Sequence, residues 1–178
     1  MSPAPQVLVV SGVMGAGKTS VAEAVGDLLA ERDVPSAMID LDWLGQVHPA
    51  SSSDPFAHDL IADNLAAVWP QFSARGVECL VLARLVTSAS QWARYRSAVP
   101  GGTFTLVRLT APVALISSRL VARHALDVSP DILERHQSRV AEVTATLDAL
   151  CLEDFVVPND GQPLRAVAEE ILTRWLPV

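Results

Sequence analysis

The segment that most constrains this chain is an octet near its amino end, residues 12–19, with the sequence GVMGAGKT. It has the pattern G-x-x-x-x-G-K-[S/T], in which glycines let backbone amides turn inward around phosphate oxygens. A short apolar run at 7–10 precedes the octet, and a helical pattern follows from Lys18 to Glu31. The sequence therefore predicts a buried strand, a phosphate-binding loop and a helix, in that order.

Two side chains of this loop, Lys18 and Thr19, have expected roles in binding the nucleotide and its metal ion. Among thirteen basic residues Lys18 is the single lysine, and its thin stem suits a narrow loop around the β- and γ-phosphates. The Thr19 hydroxyl is expected to bind Mg2+, and the amino end of the helix favours the same phosphates. We therefore expect ATP and Mg2+ to bind here. The expected nucleotide contacts in this segment are Gly12, Met14, Gly15, Ala16, Gly17, Lys18, Thr19 and Ser20.

Strand-like and helix-like segments alternate along the rest of the chain. Further strands are predicted at 37–42, 77–85, 103–109 and 155–157, with helices between them and a final helix at 163–175. This alternation predicts an α/β fold in three α/β/α layers, with a five-stranded parallel sheet and one domain over 1–178. Ligands of such sheets bind beyond the carboxyl ends of the strands.

Composition narrows the expected partners. The net charge of -7 and the scattered arginines disfavour nucleic acid. We expect no membrane span, because the apolar runs are short, and no signal peptide, because residues 1–6 lack a basic segment before an apolar one. Cys79 and Cys151 are expected to be reduced thiols in the core, so a cytoplasmic protein is predicted. The oligomeric state stays open.

Asp40 and Asp42 alternate at the predicted end of the second strand. A side-chain period of two places both carboxylates on one face. Near a triphosphate, such a pair can hold Mg2+ and accept the proton of an attacking hydroxyl. The alternative is that these residues cap a helix or are solvated in a loop.

These residues carry a resemblance to a known family. Residues 7–19, the segment IDLDWL at 39–44 and the pair His48-Pro49 resemble small-molecule kinases of the P-loop superfamily. The family includes gluconate, shikimate and adenylylsulfate kinases and chloramphenicol phosphotransferase. The resemblance implies a nucleotide-kinase-like P-loop NTPase fold. It implies that Asp42 is the base or orients the acceptor, and that Asp40 lies nearer the metal.

Three arginines are further candidate site residues. The third strand ends in Arg84, where many P-loop ATPases have an acid, so Arg84 is expected near the acceptor unless it is a plain surface residue. Arg119 and Arg123 lie four apart on one helical face and resemble the arginines that begin the kinase lid, here a short one at about 119–130. They would neutralise the transferring phosphate; alternatively they are solvated.

Two further regions complete the predicted site. The segment Asn159–Gly161 follows the fifth strand, where related kinases wrap a loop on adenine, so Asn159 and Gly161 are assigned to the nucleotide; a plain turn is equally compatible. The acceptor-binding helical region is expected at about 43–75. Trp43 begins it and is assigned to the acceptor together with Asp40, Asp42 and Arg84; a half-buried core aromatic is the alternative.

The leading hypothesis is an ATP-dependent phosphotransferase acting on a hydroxyl of a small metabolite or antibiotic-like acceptor. Its catalytic residues would be Lys18, Asp42, Arg119 and Arg123, with Thr19 and Asp40 holding the metal. A nucleoside or nucleotide kinase is one alternative. A P-loop ATPase or nucleotide-dependent switch without an acceptor is another, although the missing acid at Arg84 disfavours it.

Overall fold

The computed structural model describes residues 4–124 and 130–176, with side chains described outside 123–137. Five strands form one parallel sheet in the order β2-β3-β1-β4-β5. The predicted five-stranded parallel sheet is therefore confirmed. The strands are β1 Gln6–Ser11, β2 Ser36–Asp40, β3 Cys79–Ala83, β4 Thr103–Thr110 and β5 Phe155–Pro158.

Helices connect the strands and cover both faces of the sheet. A short 3-10 helix, Leu41–Gly45, follows β2 directly. Within the described part of the chain the α-helices are α1 Lys18–Glu31, α2 His58–Ser73, α3 Ala89–Ala98, α4 Val113–His124, α5 Pro130–Leu150 and α6 Leu164–Trp175. In these residues no helix combines the length and apolar composition needed to cross a membrane.

The central strand β1 shows why the protein has three layers. Its side chains alternate between the two faces, and both faces are covered, so the strand is an almost continuous apolar run. Leu8 and Val10 join the core under α1 and α6, whereas Val7 and Val9 join the core under α2 and α3. The α/β prediction in three layers is therefore confirmed.

Two local predictions were wrong. The second strand ends at Asp40, and Asp42 lies in the 3-10 helix, so the two aspartates are not alternate residues of one strand. The reason is local: the Asp40 carboxylate accepts a hydrogen bond from the Asp42 amide at 3.0 Å and so starts the helical turn. Cys79 is buried as expected, but Cys151 is exposed, because it follows α5 in a turn with φ of 45°.

Candidate functional site

The phosphate-binding loop, residues 12–19, lies between β1 and α1 and packs tightly on its surroundings. A Cβ atom at Gly12 would lie 2.7 Å from the Leu109 carbonyl oxygen of β4, and the Gly12 φ is +143°. Ala16 is fully buried, and its amide donates to the Val13 carbonyl at 3.1 Å. The loop is thus held by the strand beside it, and α1 begins directly behind it at Lys18.

Thr19 and Asp40 form a polar pair beneath the loop. The Thr19 hydroxyl donates to a carboxylate oxygen of Asp40 at 2.6 Å, which joins α1 to the end of β2. A hydroxyl and a carboxylate are hard oxygen ligands, and Mg2+ is usually bound by one or two carboxylates together with phosphates and water. The donor set therefore fits Mg2+. In the described part of the chain no cluster of three or more acidic, His or Cys side chains forms a metal site of its own.

Arg119 from α4 contacts the loop on the side away from Thr19 and Asp40. Its guanidinium donates to the Gly15 carbonyl at 3.4 Å and to the backbone and side-chain oxygens of Asn159 at 3.2 and 3.3 Å. The Asn159 side chain is 1% exposed and donates to the Ala16 carbonyl at 2.8 Å. The Asn159 side chain thus links the end of β5 to the loop and to Arg119, and its assignment to the nucleotide stays a prediction.

A first cavity of about 320 Å³ opens on this side of the loop. It is lined by Gly15, Gly17, Ser20, Arg119, Leu120, Gly161, Gln162 and Leu164. Arg123 belongs to α4, but its side chain lies outside the described residues, as does part of the predicted lid at 119–130. The structure therefore brings four expected nucleotide contacts, Gly15, Gly17, Ser20 and Gly161, together with Arg119 around one opening.

Asp42 and Arg84 meet on the other side of the loop. The Arg84 guanidinium forms an ion pair with the Asp42 carboxylate and donates to the Phe56 carbonyl at 3.1 Å. The Asp42 side chain is 59% exposed, whereas that of Arg84 is 12% exposed. Arg84 also approaches Nδ1 of His58 at 3.4 Å. Burial, and then the positive charge of Arg84, lower the pKa of His58, which favours the neutral imidazole.

A second cavity, of about 340 Å³, contains this group. Its charged and polar lining residues are Lys18, Asp42, His58, Arg84, Thr87 and Arg139. Its apolar lining residues are Val13, Met14, Phe56, Leu85, Val140 and Val143. The cavity therefore brings the lysine of the phosphate-binding loop and the predicted base Asp42 to one opening, at the carboxyl ends of β1, β2 and β3.

After β3, buried Gln91 fixes the segment 85–87, which contributes Leu85 and Thr87 to the second cavity. The Gln91 side chain accepts from the Thr87 amide at 2.8 Å and donates to the Leu85 carbonyl at 2.9 Å. Its amide also donates to the hydroxyl of buried Tyr95 at 3.0 Å. In addition, the Ser11 hydroxyl of β1 accepts from the Val86 amide at 3.1 Å. These bonds hold residues 85–87 in an irregular conformation beside the phosphate-binding loop.

The start of α2, which contributes His58 to the second cavity, is held by Asp54. Its two carboxylate oxygens accept from the amides of His58 at 2.7 Å and Asp59 at 2.9 Å, so the side chain caps the helix that carries His58. Desolvation raises the pKa of Asp54, but hydrogen bonds from the amides of Asp59, His58 and Leu60 outweigh it and lower the pKa overall.

We predict that Asp54→Ala lowers the free energy of unfolding by about 1 kcal/mol at neutral pH, as for other lost caps. Because the pKa of Asp54 is lower in the folded state, its stabilisation is present above the unfolded pKa and is lost as pH falls through the folded pKa. The difference between variant and wild type, measured by urea unfolding, should therefore shrink in acid. A difference that stays constant down to acid pH would contradict the capping role.

The linings of the two cavities differ in several places from what the sequence suggested. Helix α5 was predicted, but its residues Arg139, Val140 and Val143 were not assigned to the acceptor side. His58 lies inside the predicted acceptor region 43–75, but it was not assigned a role, and its contact with Arg84 had no signal in the sequence. Trp43 is 71% exposed and does not line either cavity, whereas Met14, assigned to the nucleotide, lines the second cavity.

Comparisons with known proteins give matches only at the level of structure. No protein-family model matches the sequence, and no curated protein matches it significantly. A gluconokinase from Sinorhizobium meliloti 1021 superposes with a TM-score of 0.59 and 25% identity, covering 96% of this chain and 91% of that chain.

Two more solved structures resemble the chain over nearly its whole length. The tunicamycin resistance protein of Deinococcus radiodurans has a TM-score of 0.65 and 19% identity, with 98% of this chain and 95% of that chain covered. The APS kinase of Mycobacterium tuberculosis, solved with AMPPNP and APS, has a TM-score of 0.60 and 20% identity, with 96% of each chain covered. The chain thus has the fold of the small-molecule P-loop kinases, the family that its phosphate-binding loop and aspartate pair resemble.

Proposed function

We propose that the protein is an ATP-dependent phosphotransferase that moves the γ-phosphate of ATP to a hydroxyl of a small molecule. One observation carries this proposal: the second cavity has Lys18 of the phosphate-binding loop and Asp42 in its lining together. An acceptor in that cavity would lie between a phosphate-binding cation and a carboxylate. Phosphoryl transfer requires mainly such positioning and charge neutralisation.

On the phosphate side, the chain supplies fixed positive groups. Backbone amides of the loop, the ammonium of Lys18 and the amino end of α1 would bind the phosphates. Arg119 is already held against the loop by Gly15 and Asn159, so it needs little reorganisation to neutralise charge there. Thr19 and Asp40 would hold Mg2+, which when bound neutralises charge on the phosphate oxygens. Arg123 is proposed to assist from the same helix.

On the acceptor side, Asp42 is proposed to accept the proton of the acceptor hydroxyl. The hydroxyl oxygen forms a bond to the γ-phosphorus, the bond from that phosphorus to the β–γ bridging oxygen breaks, and ADP leaves. Arg84 orients the Asp42 carboxylate through their ion pair and is itself anchored by the Phe56 carbonyl. Trp43, which is exposed beside Asp42, is proposed to cover a bound acceptor from the solvent side.

The comparisons support this choice of activity. The similar structures include a gluconokinase and an APS kinase, and the latter was solved with a nucleotide analogue and APS together. We propose that the present chain likewise forms one domain. Its acceptor site would combine the region 43–75 with the cavity-lining face of α5, and a short lid would lie at about 119–130.

The test is whether ATP turnover depends on an acceptor. Purified protein is incubated with Mg2+, ATP labelled at the γ-phosphate and a library of hydroxylated metabolites and antibiotics. We expect ADP formation to rise with a subset of acceptors and the label to appear in an organic phosphate. Chelation of Mg2+ with EDTA should stop the transfer. Label released only as inorganic phosphate, at one rate with every acceptor, would instead support an ATPase or switch.

A further inference from the structure

The second cavity is unusual for a site that would bind a small, highly hydroxylated metabolite. Half of its lining residues are apolar, and they come from separate parts of the chain. Val13 and Met14 belong to the phosphate-binding loop, Phe56 precedes α2, and Val140 and Val143 belong to α5. Met14 is 51% exposed and Phe56 is 60% exposed, so large apolar surface faces this opening instead of the core.

The charged side chains of the cavity have contacts within the chain, although the Nε of Arg84 is buried without a hydrogen-bond partner among the described residues. Arg84 is engaged by Asp42, and Arg139 lies 3.5 Å from Glu142 on its own helix. Burial, and then the positive charge of Arg84, lower the pKa of His58 and favour its neutral form. A carboxylate on the acceptor would compete with Asp42 for Arg84, and it would be repelled by Asp42 and by the phosphates of ATP. An uncharged ligand avoids both costs.

We propose, on the basis of the phosphotransferase function above, that the acceptor is an uncharged alcohol with an apolar ring or alicyclic body. Its hydroxyl lies toward Lys18 and Asp42, and its body packs between Phe56, Met14 and the α5 residues Val140 and Val143. A cavity of about 340 Å³ is at the lower end of the range for small-molecule sites, about 300–1,000 Å³. A ring with a few substituents fits this size, whereas sugar acids would leave the apolar walls without partners.

The experiment compares matched alcohols by binding and by transfer. The neutral probes are 4-methylbenzyl alcohol and cyclohexylmethanol, the charged counterpart is 4-(hydroxymethyl)benzoate, and the polar probes are gluconate and shikimate. Binding to the full chain with ATP analogue and Mg2+ is measured by saturation-transfer NMR, and transfer by label in the organic product. We expect the neutral ring alcohols to bind at least about tenfold more tightly than the charged and polar probes.

Variants at the cavity wall locate the binding site. Phe56→Asn should weaken binding of the neutral probes about tenfold, whereas Phe56→Leu, which keeps an apolar side chain at the same exposed position, should retain most of it. Val143→Thr, nearly equal in volume, should weaken binding by a smaller factor. Thermal unfolding of each variant separates these effects from loss of the fold.

The outcomes separate the ligand class from the activity. Preferred binding of gluconate, shikimate or the benzoate, no binding of any ring alcohol, or equal binding to Phe56→Asn and wild type would overturn the proposed acceptor class. Transfer to the sugar acids would do so while leaving the phosphotransferase function intact. Tight binding of ring alcohols, with no transfer to any acceptor of the wider library, would support the ligand class and refute the phosphotransferase function.

Discussion

Replacing Asp42 with asparagine is expected to lower the rate of phosphoryl transfer by about 100- to 10,000-fold, the usual contribution of a positioned general base. The amide has the same shape as the carboxylate but cannot take up the proton of the acceptor. ATP affinity should stay nearly unchanged, because the Asp42 carboxylate is proposed to contact the acceptor hydroxyl and not the nucleotide. Steady-state rates with a working acceptor and calorimetric titration with an ATP analogue measure the two quantities.

The fold should tolerate this change. The Asp42 side chain is 59% exposed, so its ion pair with Arg84 contributes little to stability, at most about 1 kcal/mol. The asparagine oxygen can still accept a hydrogen bond from the guanidinium. The matched control is Asp27→Asn, which removes an exposed carboxylate from α1 outside both cavities and should change nothing. An Asp42→Asn protein that transfers phosphate at the wild-type rate would rule out the base role.

The second large effect is expected for Gly17→Ala. Gly17 has a φ of +94°, and an added Cβ would lie 2.4 Å from Nδ2 of Asn159. Asn159 cannot easily move away, because it is bonded to the Ala16 carbonyl and to Arg119. We expect the strain of the left-handed backbone alone to cost about 1–3 kcal/mol. The displaced loop should lower turnover by roughly 100-fold or more.

Gly76→Ala separates the two causes of this loss. Gly76 also has a positive φ, +79°, but an added Cβ there would have no atom within 4 Å, so only the backbone strain is shared. The excess loss of stability in Gly17→Ala, measured by urea unfolding, then reports the clash with Asn159. Combining Gly17→Ala with Asn159→Ala should recover part of that excess. Equal destabilisation by the two glycine substitutions would show that the contact with Asn159 adds nothing to the cost of Gly17→Ala.

The sequence was sufficient to locate the end of the sheet that carries the phosphate-binding loop, but not to describe the contacts there. The phosphate-binding loop has fixed spacing, and its position after a buried strand follows from apolar patterning, so this part could be predicted. Asp40 and Asp42 do not alternate in one strand as predicted, because hydrogen bonding by the Asp40 side chain replaces the strand with a helical turn. The Asp40 carboxylate contacts Thr19, whereas the Asp42 carboxylate pairs with Arg84.

Contacts between distant segments could not be derived from local patterns. Asn159 and Arg119 are 40 residues apart and meet only because β5 lies beside β4 in the sheet. The amphipathic pattern of α5 indicates that one face of the helix is covered. It does not indicate that Val143 lines the second cavity. Trp43 was assigned to the acceptor from its place in the region 43–75; it is 71% exposed and lines neither cavity, so its role stays a proposal.

The two cavities on either side of the phosphate-binding loop have a kinetic consequence. They have no lining residue in common, and the loop gives Gly15 and Gly17 to one and Met14 and Lys18 to the other. If each cavity holds one substrate, neither substrate has to leave before the other enters. Transfer then proceeds through a ternary complex, and the kinetics are sequential instead of ping-pong. The γ-phosphate would have to reach the second cavity, beside Lys18 and Asp42, for this direct transfer, and no phosphorylated enzyme would form.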